Sequence, residues 1–349
     1  MPRHTMLGVL ALAAASPLAD AAATQTGSTL AITVDDTPQN ITVDITGSTV
    51  TLTGVPGVAD ATPYPGVDSL AYTGGTGKDN LTLNLALTGS FTITIDTDDG
   101  GSNIDVLGTI DTGSATVALA TVCGKGNDDI TFDLTADASS LNVDLDVDSG
   151  SGICNYAAFV DTGPLSADSL VQLTGTLGVA PDTVDLHVIS TAMVASLLVD
   201  LDTGGRADDF AITYDQRYPA TVPIYVFSDL GNNADVFTLD LLGADALADF
   251  QLLGQVRGQL GPDSLSLTCD ADLASYFQFA GNNGPDTLSM LLGADLAGNP
   301  ALYGGPGKDT LTLRTAGTDA STSLMHGGPK ADIANGWASS IIGCETQNP

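Results

Sequence analysis

The stretch Gly304-Gly305-Pro306-Gly307-Lys308-Asp309 is a glycine-rich turn that ends in aspartate, and closely similar turns recur along the chain. The other copies are residues 74–79, 123–128 and 281–286. After three of the four copies, apolar residues sit two, four and six positions beyond the aspartate, as Leu81, Leu83 and Leu85 do after Asp79. Alternation with a period of two predicts a strand that buries one face. The repeated unit is therefore a tight turn followed by a half-buried strand.

Positions equivalent to the aspartate that ends this turn can be assigned along most of the chain. They are Asp79, Asp105, Asp128, Cys154, Asp182, Asp208, Asp235, Asp263, Asp286, Asp309 and Asp332. Successive positions lie 23 to 28 residues apart, and the last four are equally spaced by 23. A propeller blade needs a longer repeat, and an immunoglobulin-like sandwich has no fixed long repeat. The spacing predicts an all-β, single-stranded parallel β-solenoid of about eleven coils, whose stacked apolar faces form one core.

The ends of the chain differ from the repeat. Arg3 and His4 precede an apolar run over residues 7–15 and then small residues, which is typical of a secretory signal peptide. No later segment has the apolar length of a transmembrane helix. We expect export to the cell surface, the periplasm or the extracellular space. The predicted division is a signal peptide at 1–23, a cap and first coil at 24–60, the solenoid at 61–336, and a C-terminal cap or tail at 337–349 that includes Trp337.

The net charge of the chain limits the classes of partner that it can bind. The formal net charge is −33, and only nine residues are lysine or arginine. Nucleic acids and anionic membranes need clustered basic residues, so both are excluded as expected partners. Glu345 is the only glutamate among 42 acidic residues. Aspartate is favoured where a short carboxylate caps a turn or binds a hard cation, so this bias indicates one of those two roles.

Four cysteines allow two disulfides in any of three pairings, and an exported protein permits them. Cys123 and Cys154 fall on adjacent predicted coils near the same row of turns, so we expect them to form a disulfide. Cys269 lies at a core-facing position six residues after Asp263. It would pair with Cys344 only if the C-terminus folded back over about three coils, and this is the second expected disulfide.

The turns resemble the repeats-in-toxin family of calcium-binding β-rolls, whose nonapeptide reads Gly-Gly-x-Gly-x-Asp-x-apolar-x. Residues 74–81 and 304–311 match its first eight positions, and residues 123–130 match except for Cys123. The resemblance implies calcium ions between adjacent turns, bound by backbone carbonyls and the sixth-position aspartate. The family has two motifs in each coil, whereas this chain has one, so at most one row of sites is implied. The implied metal-site residues are Asp79, Asp105, Asp128, Asp286, Asp309, Asp332, Gly74, Gly77, Gly124, Gly126, Gly304 and Gly307.

A metal-free alternative remains open for these turns. Each carboxylate would accept hydrogen bonds from its own turn, as aspartate often does. Lys78, Lys125 and Lys308 lie within the best copies of the turn and would then offset part of the negative charge.

The functional interpretation also has alternatives. We expect an exported, calcium-binding structural or adhesion protein, with neutral glycans or further copies of itself as partners, and not an enzyme. The enzymatic alternative is a calcium-dependent polysaccharide lyase or hydrolase of the right-handed β-helix type. Its candidate residues would be Asp208, Asp209, Arg206 and Arg217, with Asp128 and Asp129 as a second acidic pair. Adjacent residues of a strand point to opposite faces, which weakens both acidic pairs.

Overall fold

The computed structural model describes residues 22–163, 168–243, 249–293, 295–317, 322–336 and 338–348. It is an all-β solenoid of about ten turns with 65% strand and no helix, so the predicted fold class is confirmed. Accordingly, none of these residues belongs to a helix long and apolar enough to cross a membrane. The predicted signal peptide, up to residue 21, and Trp337 of the predicted C-terminal cap lie outside the described residues.

The described residues contain 28 named strands. In chain order they are β1 (Ala22–Thr26), β2 (Thr29–Thr33), β3 (Asn40–Thr46), β4 (Thr49–Thr53), β5 (Thr62–Pro65), β6 (Ser69–Thr73), β7 (Asn80–Leu87), β8 (Phe91–Asp96), β9 (Asn103–Val122), β10 (Asn127–Asp148), β11 (Ile153–Asp161), β12 (Asp168–Thr176), β13 (Thr183–Ser190), β14 (Val194–Asp202), β15 (Asp209–Gln216), β16 (Thr221–Asp229), β17 (Val236–Gly243), β18 (Asp249–Arg257), β19 (Ser264–Cys269), β20 (Asp272–Ala280), β21 (Thr287–Leu292), β22 (Leu296–Gly298), β23 (Ala301–Tyr303), β24 (Thr310–Thr315), β25 (Leu324–His326), β26 (Ile333–Gly336), β27 (Ser340–Ile342) and β28 (Thr346–Asn348).

The coils stack in parallel and form two faces. The ladder face consists of β3, β7, the first halves of β9 and β10, β11, β13, β15, β17, β19, β21, β24, β26 and β28. The second face consists of β2, β6, β8, the second halves of β9 and β10, β12, β14, β16, β18, β20, β22, β23, β25 and β27. Each coil therefore contributes one strand segment to each face over most of the length.

Apolar residues at alternate positions fill the space between the two faces. Phe237 of β17 packs edge-on against Phe279 of β20, with ring centroids 6.2 Å apart. Tyr214 of β15 meets Phe250 of β18 in the same way at 6.2 Å. All four side chains are almost completely buried. Full burial of one large apolar side chain contributes about 1.5 to 3 kcal/mol, so this shared core holds the two faces together.

The N-terminal segment departs from the parallel stacking expected throughout. β1 pairs antiparallel with β2, and β3, β4 and β5 form an antiparallel series. Both β1–β2 and β3–β4 turn at the sequence Thr-Gly-Ser-Thr, at residues 26–29 and 46–49. Gly27 and Gly47 have φ values of 61° and 60°, the left-handed conformation that tight two-residue hairpins require. Hairpins therefore begin the fold, and β2 and β3 then pair in parallel with the coil that follows.

Candidate metal centre: the aspartate ladder

One register position at the start of the ladder-face strands is occupied by a row of mostly acidic residues, which we call the ladder. Its members are Gln39, Asp79, Ser102, Asp128, Cys154, Asp182, Asp208, Asp235, Asp263, Asp286, Asp309, Asp332 and Glu345. The structure thus aligns ten of the eleven positions assigned from the sequence. The ladder aspartates are 0 to 2% exposed, although aspartate is usually a surface residue.

The assignment of Asp105 to this row is wrong. Asp105 pairs in register with Thr82 and Thr131 in the middle of the strands, and its side chain is exposed. Ser102 holds the ladder position, three residues earlier. The error arises because this turn carries no carboxylate at the ladder position. Successive side chains of a strand point to opposite faces, so the buried neighbours Ile104 and Val106 place Asp105 on the outer face and not at a ladder position.

The ladder carboxylates are linked from coil to coil by hydrogen bonds that all run in the same direction. The backbone N–H of Asp286 donates to Oδ1 of Asp309 at 2.9 Å, and the N–H of Asp309 donates to Oδ1 of Asp332 at 2.9 Å. Equivalent bonds of 2.7 to 3.0 Å join Gln39 to Asp79, Ser102 to Asp128, Cys154 to Asp182, Asp182 to Asp208, Asp208 to Asp235, Asp235 to Asp263, and Asp263 to Asp286. The metal-free alternative expected donors from each residue's own turn, whereas these donors lie on the preceding coil.

The second carboxylate oxygen has a different environment. Seven ladder aspartates have a buried Oδ2 without a hydrogen-bond partner: Asp128, Asp208, Asp235, Asp263, Asp286, Asp309 and Asp332. Two others receive a hydroxyl donor, because Tyr72 donates to Oδ2 of Asp79 and Ser149 to Oδ2 of Asp182, each at 2.8 Å. A buried polar atom without a partner is costly, so these seven oxygens are the ladder atoms that a proton or a cation would stabilise most.

Burial disfavours the charged form of these side chains. It raises the pKa of Asp208 and of Asp263 to about 7, and that of Asp235 and of Asp309 to about 6. The hydrogen bond from the preceding coil opposes this effect, while neighbouring ladder carboxylates reinforce it at Asp208, Asp263 and Asp309. Removal from water is the largest cause in each case.

Glycines five positions before the ladder residue face the second oxygen. A Cβ atom added to Gly304 would lie 2.4 Å from Oδ2 of Asp309 and 2.7 Å from the carbonyl oxygen of Gly327. A Cβ atom added to Gly327 would likewise lie 2.6 Å from both Oδ2 of Asp332 and the carbonyl oxygen of Gly343. A carboxylate oxygen and a carbonyl oxygen of the next coil therefore converge on the same glycine, in a space that a larger residue would fill.

This donor set fits calcium in chemical type, because calcium binds carboxylate and backbone carbonyl oxygens. Among the described residues, no group of three or more His, Cys, Asp or Glu side chains is placed to hold a metal ion. A cation on the ladder would therefore depend on backbone carbonyls as well as aspartate. The residues that fit this description best are Asp263, Asp286, Asp309 and Asp332, with carbonyls of Gly281, Gly327 and Gly343.

The remaining motif glycines permit adjacent coils to approach closely. A Cβ atom on Gly124 would lie 1.3 Å from the carbonyl oxygen of Asp98, and one on Gly307 would lie 1.7 Å from that of Gly284. The same close approach to the neighbouring backbone applies at Gly77 and Gly126, while Gly74 faces both Thr97 and Asp79. Tight stacking of turns thus explains these glycines whether or not a cation is bound.

One disulfide occupies the place of a glycine and an aspartate. Cys123 stands five positions before Asp128, at the position that glycine occupies before Asp263, Asp286, Asp309 and Asp332. Cys154 is the ladder residue of the next coil. The two are joined, with Cα atoms 6.3 Å apart, so the first predicted disulfide is confirmed. The second is wrong, since Cys269 and Cys344 are free. Cys269 is enclosed in the core beneath β19 and Cys344 lies in the last turn, which does not fold back to it.

The candidate enzymatic groups do not converge. Asp208 is buried in the ladder, whereas the neighbouring Asp209 is exposed, and Asp128 and Asp129 are divided in the same way. Arg217 pairs with Asp215 through a surface contact of 2.8 Å, and Arg206 lines a shallow surface groove with Asn232 and Asn233. Among the lysines of the motif turns, Lys125 pairs with Asp99 at 2.6 Å, and both side chains are exposed.

Comparisons of the chain with protein-family models, with curated proteins and with solved structures find no significant match.

Proposed function

We propose that the protein is an exported β-solenoid scaffold of the cell surface or extracellular space that binds calcium along its aspartate ladder. The observation that carries this proposal is the row of buried Oδ2 atoms without partners, which is continuous from Asp208 to Asp332 over adjacent coils.

The electrostatics of the row favour a bound cation. Adjacent coils are about 4.8 Å apart, so two ionised ladder carboxylates would repel by on the order of 3 kcal/mol at an effective dielectric constant near 20. This repulsion is relieved either when some of the carboxylates are protonated or when cations bind between them. At neutral pH a dication supplies two positive charges without requiring protonation, and oxygen donors are the ligands that calcium prefers.

Two observations support the structural and exported parts of the proposal. The apolar core is continuous along the coils, and each middle strand is paired with a strand of both neighbouring coils. Such an array is a rigid surface rather than an enclosed pocket. The disulfide between Cys123 and Cys154 favours an oxidising compartment, where disulfides form and persist.

Calcium titration of chelator-treated protein tests the proposal, with heat of binding and melting temperature as readouts. Calcium that binds only the folded chain raises its stability by about 2.7 kcal/mol for each site at one hundred times the dissociation constant. Asp309→Asn keeps an acceptor for the Asp286 N–H but removes a charge, so it should bind fewer ions. Asp209→Asn is the matched control, because Asp209 is exposed and lies outside the ladder.

No binding heat in millimolar calcium, together with a melting temperature that chelator does not change, would rule out the calcium part of the proposal. Cell fractionation tests export independently, and recovery of the protein only from the cytoplasm would contradict it.

A further inference from the structure

The second face carries an uncharged aromatic surface on three adjacent strands, β16, β18 and β20. We call it the neutral patch and define it as Tyr225, Phe227, Leu253, Gln255, Tyr276 and Gln278. Tyr225, Phe227 and Tyr276 are 39%, 45% and 58% exposed, although large aromatic side chains are usually buried. None of the six residues is charged, in a chain with 42 acidic residues. The patch is therefore a local exception to the acidic character of the protein.

Strand register arranges these side chains in two columns along the solenoid axis. Tyr225, Leu253 and Tyr276 form one column, and Phe227, Gln255 and Gln278 form the other. Two coil spacings separate Tyr225 from Tyr276, about 9.6 Å. The arrangement is a flat platform with an aromatic ring at each end of one column and amide side chains beside it.

A groove runs along one side of this platform. Its volume is about 450 Å³, and its lining includes Gln251 and Ala274, which lie two positions before Leu253 and Tyr276 on the same strands. Asp249, Asp272 and Asp295 stand in register along the outer edge of the groove. The backbone N–H of Asp295 donates to Oδ1 of Asp272 at 3.0 Å, which keeps this column in order. Carboxylates and amides thus border aromatic rings over three coils.

The charges identify the kind of ligand that suits this surface. The acidic column and the net charge of −33 repel an anionic ligand. The acidic column would attract a cationic ligand to the edge of the groove, but the platform beside it carries no charge for such a ligand to bind. A neutral chain of sugars presents apolar C–H faces to aromatic rings and hydroxyl groups to amides and carboxylates. We propose that the neutral patch and its groove bind a neutral polysaccharide, aligned along the solenoid axis, with Tyr225 and Tyr276 stacking on separate sugar rings.

This inference rests on the proposed role as an exported scaffold, since that role brings the surface into contact with extracellular glycans. The two are tested separately, because the patch lies on the second face and the ladder lies on the other. If the protein binds calcium but no glycan, the inference about the patch is refuted and the proposed calcium-binding scaffold is not.

The test is affinity electrophoresis of the folded protein in native gels that contain soluble neutral glucan, mannan or xylan, with anionic alginate for comparison. The wild-type protein should be retarded by at least one neutral glycan and not by alginate. Tyr225→Thr and Tyr276→Thr should each weaken retention by about tenfold, as expected for loss of one stacking contact of roughly 1.4 kcal/mol. Threonine is chosen because it favours strand conformation.

Tyr218→Thr is the matched control, because Tyr218 is 49% exposed but lies on the turn before β16 and not on the platform. It should bind like the wild type. Circular dichroism establishes that each variant is folded, and Tyr276→Trp, which keeps an aromatic face, should retain binding. Absence of retardation by every neutral glycan would overturn the proposal, as would equal loss in the control. Self-association that the Tyr276→Thr variant abolishes would assign the patch to a second copy of the chain instead.

Discussion

The hydroxyl of Ser149 donates a 2.8 Å hydrogen bond to Oδ2 of Asp182, the carboxylate oxygen that has no partner in the coils after it. Ser149 stands five positions before the ladder residue Cys154, at the position that Gly258, Gly281, Gly304 and Gly327 occupy in later coils. A hydroxyl donor on the coil of Cys154 therefore stabilises the carboxylate of Asp182 on the next coil. At the seven ladder aspartates whose Oδ2 has no such donor, protons or cations would take that role, and the stability of those coils should depend on the pH and on the cations in solution.

The first prediction is that, without calcium, the free energy of unfolding decreases between about pH 5 and pH 8. Folding raises the pKa of Asp263 to about 7 because the carboxyl group leaves water. In this range the folded chain holds protons that the unfolded chain releases, so raising the pH favours unfolding. Urea unfolding in chelator at several pH values measures this slope.

Asp263→Asn removes one titrating ladder group and should reduce the slope, whereas Asp209→Asn removes an exposed charge and should leave it nearly unchanged. Comparison of the two separates the ladder from the general effect of net charge. Equal slopes in both variants would contradict a buried titrating row.

The second prediction concerns the space in front of the second oxygen. Gly304→Ala should destabilise the fold by about 1 to 3 kcal/mol, because the added methyl group would press on Oδ2 of Asp309 and on the carbonyl oxygen of Gly327. Gly205→Ala is the control, since a Cβ atom there would meet nothing within 4 Å. Thermal unfolding compares them. Equal stability of the two variants would show that the ladder carboxylates can move aside.

The third prediction concerns the cysteines. The disulfide closes a separation of 31 residues, so its reduction should lower stability by about 3 to 4 kcal/mol. In the native state, iodoacetamide should label Cys344, which is partly exposed, but not Cys269. Burial raises the pKa of Cys269 to about 12, which leaves almost no thiolate to react. Urea unfolding with and without reductant measures the stability change, and mass spectrometry without reduction measures the labelling of the two free cysteines. Rapid native labelling of Cys269 would contradict its place in the core.

The fourth prediction concerns the only glutamate. The N–H of Asp332 donates to Oε2 of Glu345 at 2.6 Å, so a longer side chain provides the acceptor in this last contact of the ladder. Glu345→Ala should accelerate hydrogen exchange at the amide of Asp332. Glu345→Gln keeps an oxygen acceptor and should exchange almost as slowly as the wild type. If both variants exchange at the wild-type rate, this contact does not protect the C-terminal coil.

Much of this architecture is predictable from the sequence because one local pattern repeats. The turn that ends at Asp309 and the alternation after it fix the type of coil, and equal spacing extends the row to Asp332. Ser102 was missed because its turn carries no carboxylate at the ladder position and Asp105 follows three residues later. The antiparallel hairpins at the N-terminal end do have a local sequence signal, because Thr-Gly-Ser-Thr occurs at residues 26–29 and again at 46–49, between segments of alternating apolar residues.

Other features depend on how coils align with one another. The backbone donor to each ladder aspartate lies 23 to 40 residues away, so no local pattern identifies it. The neutral patch likewise joins Tyr225 to Tyr276 across an intervening coil, and turns of different length shift the spacing between strands. Such neighbours become evident only once the register is known.

The uniform direction of the ladder hydrogen bonds affects the order in which the chain can mature during synthesis. From Cys154 to Asp309, the N–H of each ladder residue donates to the carboxylate of the coil that follows it, as the N–H of Asp286 does to Asp309. In a growing chain, the N–H of the newest ladder residue therefore has no acceptor until the next aspartate is synthesised. That aspartate provides the acceptor, and its own N–H is then the donor that waits for the following coil. Completion passes in this way from the coil of Cys154 towards that of Asp332, the direction in which a ribosome delivers the sequence.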